Sequence, residues 1–179
     1  GSRLQNINKD LPKAMLPVAN RPMIDYVLDN ISFIDKNNTY IVVGCGKEFI
    51  MDYLGGAYCF VEQKQQLGTG HAIMECAKEF EDFEGTVLVT FGDMPLFRRD
   101  EMEAMCHQHK RKGVDCTLMT ATNDSLKLWA RVVRDESGSF SRIVEGKDCN
   151  AEQADIQELF SGVMVFNSKS LFEILPQVG

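Results

Sequence analysis

Residues Thr86–Leu96 read TVLVTFGDMPL, and the remainder of the chain is arranged about this stretch. Thr86, Val87, Leu88, Val89 and Thr90 are β-branched or apolar, the composition of a short strand buried on both faces, as in a parallel sheet. Gly85 precedes the run and Gly92-Asp93 follow it. Pro95, which has no amide hydrogen, prevents its continuation. Asp93 is therefore expected just past the carboxyl end of a buried strand, where open α/β sheets bind their ligands. A carboxylate in that place suits either of two roles. It can offer oxygen to a hard cation, or it can serve as a turn or capping aspartate.

Outward from this strand, short strands and helices alternate. Thr39–Val43 (TYIVV) is expected as a second buried strand ended by Gly44-Cys45-Gly46, followed by a helix over Lys47–Leu54 and a strand over Cys59–Glu62. A helix from Gly70 or His71 to Phe80 then leads into TVLVT. Beyond it come a helix near Arg99–Lys110, amphipathic through Met102, Met105 and Cys106, and a strand at Val114–Thr120. Upstream, 3–17 reads as a loop, and Asn20 is expected to cap a helix with Pro22 in its first turn. The alternation predicts an α/β fold with a right-handed, mostly parallel sheet.

The rhythm changes after Ala121. Ala130–Arg134 and Phe140–Glu145 are expected as a hairpin turning at Glu136-Ser137-Gly138-Ser139. A strand over Phe160–Asn167 follows, and Ser168 is expected to cap a closing helix. One domain with two lobes follows, residues 1–121 and 122–179, the second forming the other wall of a crevice.

Composition narrows the function classes. The 179 residues carry a net charge of −7 with no basic block, which argues against nucleic acid or an anionic membrane as partner. A small anionic ligand would need a local positive pocket. Six cysteines without a C-x-x-C pair are expected to be reduced and mostly buried, as in a cytoplasmic protein. No apolar run approaches the length of a membrane span.

Two further stretches carry chemistry. Gly1-Ser2-Arg3 and Leu11-Pro12-Lys13 place two cations on a loop, where glycine permits close approach to a phosphate and arginine can grip it. Exposed loop cations are also commonly just solvated. In Gln63-Lys64-Gln65-Gln66-Leu67-Gly68-Thr69-Gly70-His71-Ala72, the amides of Gln63 and Gln66 can read a nucleobase edge, and Thr69 can cap the following helix. An ordinary capped loop is the alternative. His71 is expected to pack near the loop. His107 and His109 do not share a helix face as metal ligands would, and are expected on a solvated helix. Trp129 could stack on a sugar, though filling the core is the commoner role.

In order, GSRL, LPKAMLPVANRPMIDYVL, QKQQLGTGHA, FGDMPL, ARVVRD, IVEGKD and QELFSG resemble the sugar-1-phosphate nucleotidyltransferases, and among them the uridylyltransferase domain of the bifunctional N-acetylglucosamine-1-phosphate enzyme. The resemblance implies a doubly wound, Rossmann-like nucleotidyltransferase fold with a nucleotide-binding lobe (1–121) and a sugar-binding lobe (122–179). It implies transfer of a nucleotidyl group, uridylyl from UTP, to N-acetylglucosamine 1-phosphate or a related hexose 1-phosphate with Mg²⁺ as cofactor. By motif position Arg3 and Lys13 are catalytic, and Gly1, Ser2, Gln63, Gln66, Gly68 and Thr69 bind nucleotide. Gly92, Ala130, Glu145 and Phe160 fall at the sugar substrate, and Asp93 is the metal ligand.

The family's glycine and asparagine are here Ala130 and Phe160, which bears on which sugar is accepted. The family's first apolar strand and second metal ligand have no counterpart here, so the chain is expected to be incomplete at both ends, and oligomerisation through segments not shown is possible. A non-catalytic regulatory or assembly relative is the competing reading. The absent second ligand and Phe160 favour that relative, whereas Arg3, Lys13, Gln66 and Asp93 favour the enzyme.

Overall fold

The computed structural model describes residues 11–126 and 128–177. They begin with a 3₁₀ turn at Lys13–Met15 and a two-residue hairpin, β1 (Pro17–Val18) and β2 (Arg21–Pro22), leading into α1 (Met23–Asn30). Asn20 does not cap α1. It occupies the hairpin turn with Ala19, both at positive φ (64° and 48°), a conformation that asparagine tolerates and that matches strand twist. Pro22 takes the N-cap position instead. Then follow β3 (Tyr40–Val43), α2 (Lys47–Leu54), β4 (Cys59–Glu62) and α3 (Thr69–Met74). A separate 3₁₀ turn at Ala77–Phe80 replaces the second half of the helix expected there.

The expected central strand is β5 (Thr86–Val89), followed by α4 (Arg99–Lys112) and β6 (Cys116–Thr122). The chain after β6 holds β7 (Arg131–Arg134), β8 (Phe140–Val144), α5 (Ala151–Ala154), the ten-residue β9 (Glu158–Asn167) and α6 (Ser168–Ile174). Ser168 is not the cap of α6, since the Asn167 side chain accepts from the Ser170 amide. Ser168 is buried instead, its hydroxyl donating to the Phe83 carbonyl (2.8 Å) and accepting from the Gly85 amide (3.0 Å). It thereby locks α6 to the entrance of β5.

The strand directions correct the expectation of a mostly parallel sheet. Among the described residues β3 and β4 are the parallel pair, and β9 runs antiparallel to β5, β6 and β7. β5 and β6 therefore point the same way, as a crossover through α4 requires, but β9 lies between them. Thr86 pairs with Asn167 and Val89 with Met164 on one edge of β9, while Cys116 pairs with Phe166 on the other. The hairpin β7–β8 is as expected, and β7 joins the amino half of β9 at Arg131–Leu159.

Two apolar clusters hold these layers. Met15, Ile24, Leu28, Val43 and Ile50 pack together under β3, and Met102, Met105, Val163 and Val165 pack α4 onto β9. Ile31 touches both clusters. The six cysteines are free but not mostly buried: Cys76 alone is buried, and Cys45 and Cys116 are exposed. Burial pushes the Cys76 thiol up to about 11, so it stays protonated and inert.

His109 departs from a solvated helix, whereas His107 is exposed. His109 lies on α4 at 3% exposure, with Nδ1 2.9 Å from Thr117 Oγ1 on β6. Burial pushes its pKa below the ordinary value, opposed by the nearby Asp115 carboxylate. As pH falls below about 6.5 the unfolded chain takes up a proton that the native imidazole resists, so stability is lost on acidification down to the folded pKa. Urea unfolding on either side of about pH 6.5 should show a smaller acid loss in His109→Gln, which keeps a polar partner for Thr117 but cannot titrate. Equal losses in both proteins would assign the acid sensitivity to other groups.

Candidate functional site

The site begins at the loop after β5. Phe91 and Met94 on this loop lie against β9 at Gly162, which has a φ of 89°. A Cβ there would lie 2.9 Å from the Phe91 ring and 3.1 Å from Met94 Sδ. On the loop's other side a Cβ on Gly92 would lie 3.3 Å from the Ala14 Cβ. Asp93 is held between these two contacts, and Lys13, beside Ala14, donates its ammonium hydrogen to Asp93 Oδ2. Two residues 80 apart in sequence are thus brought together at a partly exposed position, with side-chain exposures of 47% for Lys13 and 27% for Asp93.

The second part is an open cleft of ≈ 600 Å³ at the carboxyl ends of the parallel pair β3–β4. The loop Gly44-Cys45-Gly46 forms one wall, and Gln63, Lys64 and Gln66 form the other. A Cβ on Gly44 would approach Gln66 Nε2 to 3.1 Å, so glycine lets the glutamine lie directly on the backbone. Lys47 and Glu62 join the two walls through a 2.8 Å ion pair, which raises the lysine pKa and lowers the carboxylate pKa. Pro12 connects this cleft to the Lys13–Asp93 pair, because it packs within 2.9 Å of a Cβ position on Gly46.

Gln63 is already engaged. Its Nε2 donates to the Gly68 carbonyl (3.1 Å) and lies 3.0 Å from His71 Nδ1. Thr69 is not the cap of α3. Gly68 takes the N-cap position at φ 103°, a conformation that side-chain-bearing residues rarely adopt, and Thr69 is the first helical residue.

The third part lies at the junction of β7, β8 and β9. The Phe160 amide donates to the Ala130 carbonyl at 2.9 Å, and Arg131 pairs with both Val144 and Leu159. Ala130, Glu145 and Phe160 are therefore neighbours at one end of this sheet, with the Ala130 methyl buried and Glu145 exposed. Phe160 is two residues before Gly162 on β9, the strand that supports the Asp93 loop, and the register of β9 against β6 shifts between Phe160 and Met164. Gly1, Ser2 and Arg3 lie outside the described residues. The lining residues Gly44, Cys45, Lys47 and Glu62 were missed by the sequence reading, although two glycines after a buried strand are the signal that finds them.

Residues 1–176 match the MobA-like NTP transferase domain. The chain belongs to this family. It is 35% identical over 178 residues to the bifunctional protein GlmU of Geobacillus thermodenitrificans (strain NG80-2), with 99% of this chain and 38% of that protein covered. It is 37% identical, at the same coverage, to the bifunctional protein GlmU of Bacillus cereus (strain AH187). The chain thus spans 38% of the length of these curated relatives. A UDP-glucose pyrophosphorylase solved with UDP-glucose superposes with a TM-score of 0.78 at 20% identity, covering 98% of this chain and 75% of that one. The family and fold drawn from the motifs are borne out, as a mixed α/β, Rossmann-like nucleotidyltransferase fold.

The close fit at Gly162 makes a test of how the Asp93 loop is held. Gly162→Ala sets a methyl against Phe91 at positive φ, and overpacking of this kind costs about 1–3 kcal/mol. The urea midpoint should fall accordingly, with a change in the environment of the loop visible by NMR. An unchanged midpoint would show that the loop moves freely away from β9.

Proposed function

We propose that this domain transfers a nucleotidyl group, uridylyl from UTP, to a hexose 1-phosphate, releasing pyrophosphate. The observation that carries the reading is the meeting of Lys13 and Asp93 beside a glutamine-lined cleft, in a chain of this family. The cleft takes the nucleotide, with Gln63 and Gln66 toward the base and Gly68 and Thr69 beside it. The sugar lies toward Gly92, Ala130, Glu145 and Phe160. Arg3 and Lys13 hold the triphosphate, with Gly1 and Ser2 at the same loop. The division into a nucleotide lobe and a sugar lobe near residue 121, and a cytoplasmic location, belong to the same proposal.

An oxygen of the sugar 1-phosphate attacks the α-phosphorus and pyrophosphate leaves in line. The attacking phosphate is anionic near neutral pH, so neither a protein nucleophile nor a general base is needed. The protein's work is positioning and neutralisation of charge on the phosphoryl oxygens. An arriving triphosphate competes with Asp93 for the Lys13 ammonium, and the carboxylate is released as the lysine turns to phosphate.

The donor chemistry at Asp93 fits Mg²⁺. That ion is commonly held by one or two carboxylates together with substrate phosphates, and Asp93 offers one carboxylate at 27% exposure. Among the described residues no three His, Cys, Asp or Glu side chains cluster, so the phosphates would complete the coordination. When bound, the ion supplies positive charge to the phosphoryl oxygens.

Asp93→Asn should lower turnover by on the order of 10²–10³, the scale of losing one electrostatic stabiliser. Its effect on folding should stay under about 1 kcal/mol, because exposed ion pairs contribute little. Pyrophosphate release measured across a Mg²⁺ titration is the check, and unchanged metal dependence in the variant would remove Asp93 from the reaction.

The sugar pocket yields a separate expectation. Phe160 offers no hydrogen bond to a hydroxyl, a loss of about 0.5–1.5 kcal/mol, and the Ala130 methyl narrows the space beside it. N-acetylglucosamine 1-phosphate should therefore be turned over less well than a hexose 1-phosphate without the N-acetyl group, and Glu145→Ala should impair whichever sugar is used. Glucose, galactose, mannose and N-acetylglucosamine 1-phosphates compared at matched concentrations decide this. A clear preference for the last would remove Phe160 and Ala130 from the sugar contact.

A further inference from the structure

The hydrogen bonds around Gln63 define more than a loop anchor. The Gly68 carbonyl can only accept, so the Gln63 atom 3.1 Å from it is the amide nitrogen. The same nitrogen lies 3.0 Å from His71 Nδ1. An amide nitrogen has two hydrogens, and both are then committed. His71 Nδ1 must accept the second one, which puts the ring proton of the neutral imidazole on Nε2. Glu75 Oε1, one helical turn further along, lies 3.4 Å from that Nε2.

We propose that His71, together with the Gly68 carbonyl, holds the Gln63 amide in a single orientation, making His71 a positioning residue for nucleobase discrimination. The inference rests on the base-reading role given to Gln63 above. With both hydrogens committed, Oε1 is the amide atom left without a partner among the described residues, on a side chain that lines the cleft. A fixed acceptor matches the imide N3–H of uracil. Against cytosine it meets the N3 lone pair, so the wrong base leaves two acceptors facing each other. Without His71 the Gly68 carbonyl alone opposes turning of the amide, so the nitrogen faces the cleft more often and cytosine is accepted more readily. Discrimination then depends on a residue that touches Gln63 rather than the base.

The test compares kcat/KM for UTP and CTP in the wild-type chain, His71→Leu and His71→Asn. The wild type should favour UTP by about 100-fold or more, the scale set by leaving buried polar groups unpaired. His71→Leu should reduce that ratio by about 10-fold or more while the KM for the sugar 1-phosphate stays unchanged. His71→Asn, whose Oδ1 can stand where Nδ1 stood, should keep the ratio within about 3-fold. A discriminating wild type whose ratio survives His71→Leu would overturn the inference alone. A wild type indifferent to the base would overturn the reading of Gln63 on which it rests. Should His71→Leu fail to fold, ¹⁵N NMR of the wild-type histidines gives the answer without turnover. A neutral His71 protonated on Nε2 is expected, and a ring protonated on Nδ1 would overturn the clamp.

Discussion

The pairing of β9 with three other strands is the constraint on which the rest of the structure depends. Its carboxyl half lies between β5 and β6, and its amino half carries β7 and through it β8. Leu159, Val163 and Val165 on this strand are fully buried, and Val163 and Val165 pack against Met102 and Met105 of α4. One strand thereby serves as backbone partner to β5, β6 and β7 and as apolar floor for α4. Moving β9 by one residue would turn its buried side chains to solvent and part the Phe160–Ala130 hydrogen bond from the Gly162–Phe91 contact.

This arrangement ties Ala130 and the Asp93 loop to nearby positions of β9. Phe160 and Gly162 flank Ser161 on β9, where the register against β6 shifts. The first is hydrogen-bonded to Ala130 and the second supports the loop that holds Asp93. From the opposite direction the Lys13 segment is set by Pro12 on Gly46 and Ala14 on Gly92. Close backbone approaches at glycines therefore position the charged side chains from two sides. The charges are not what hold the fold, because a partly exposed lysine–carboxylate pair contributes about 0–1 kcal/mol.

In a protein of net charge −7, the cations near the cleft matter by position. Lys13 is paired with Asp93 and Lys47 with Glu62. Each pair keeps a positive group close to the cleft while the chain as a whole stays acidic. The cleft wall at Gln63 is neutral by contrast, and its polar atoms are ordered by hydrogen bonds to Gly68 and His71.

Much of this was legible in the chain itself. The strand over Thr86–Val89 bounded by Gly85 and Gly92, the helix Lys47–Leu54, the strand Cys59–Glu62 and the hairpin through Ser137-Gly138 follow from local pattern and turn chemistry. The motif order placed the family, and it singled out both Lys13 and Asp93, which the structure brings together. Strand direction was not legible, because an apolar run is equally suited to a parallel or an antiparallel neighbour. Nor were the caps at Asn20, Thr69 and Ser168, where a residue able to cap was given a tighter turn, a first helical position or a buried bridge instead. Local sequence determines which segments become strands and helices, since propensity and periodicity act over a few residues. That Lys13 meets Asp93, that His71 holds Gln63 and that β9 lies between β5 and β6 were decided only by tertiary packing, because those contacts depend on which distant apolar faces share one core.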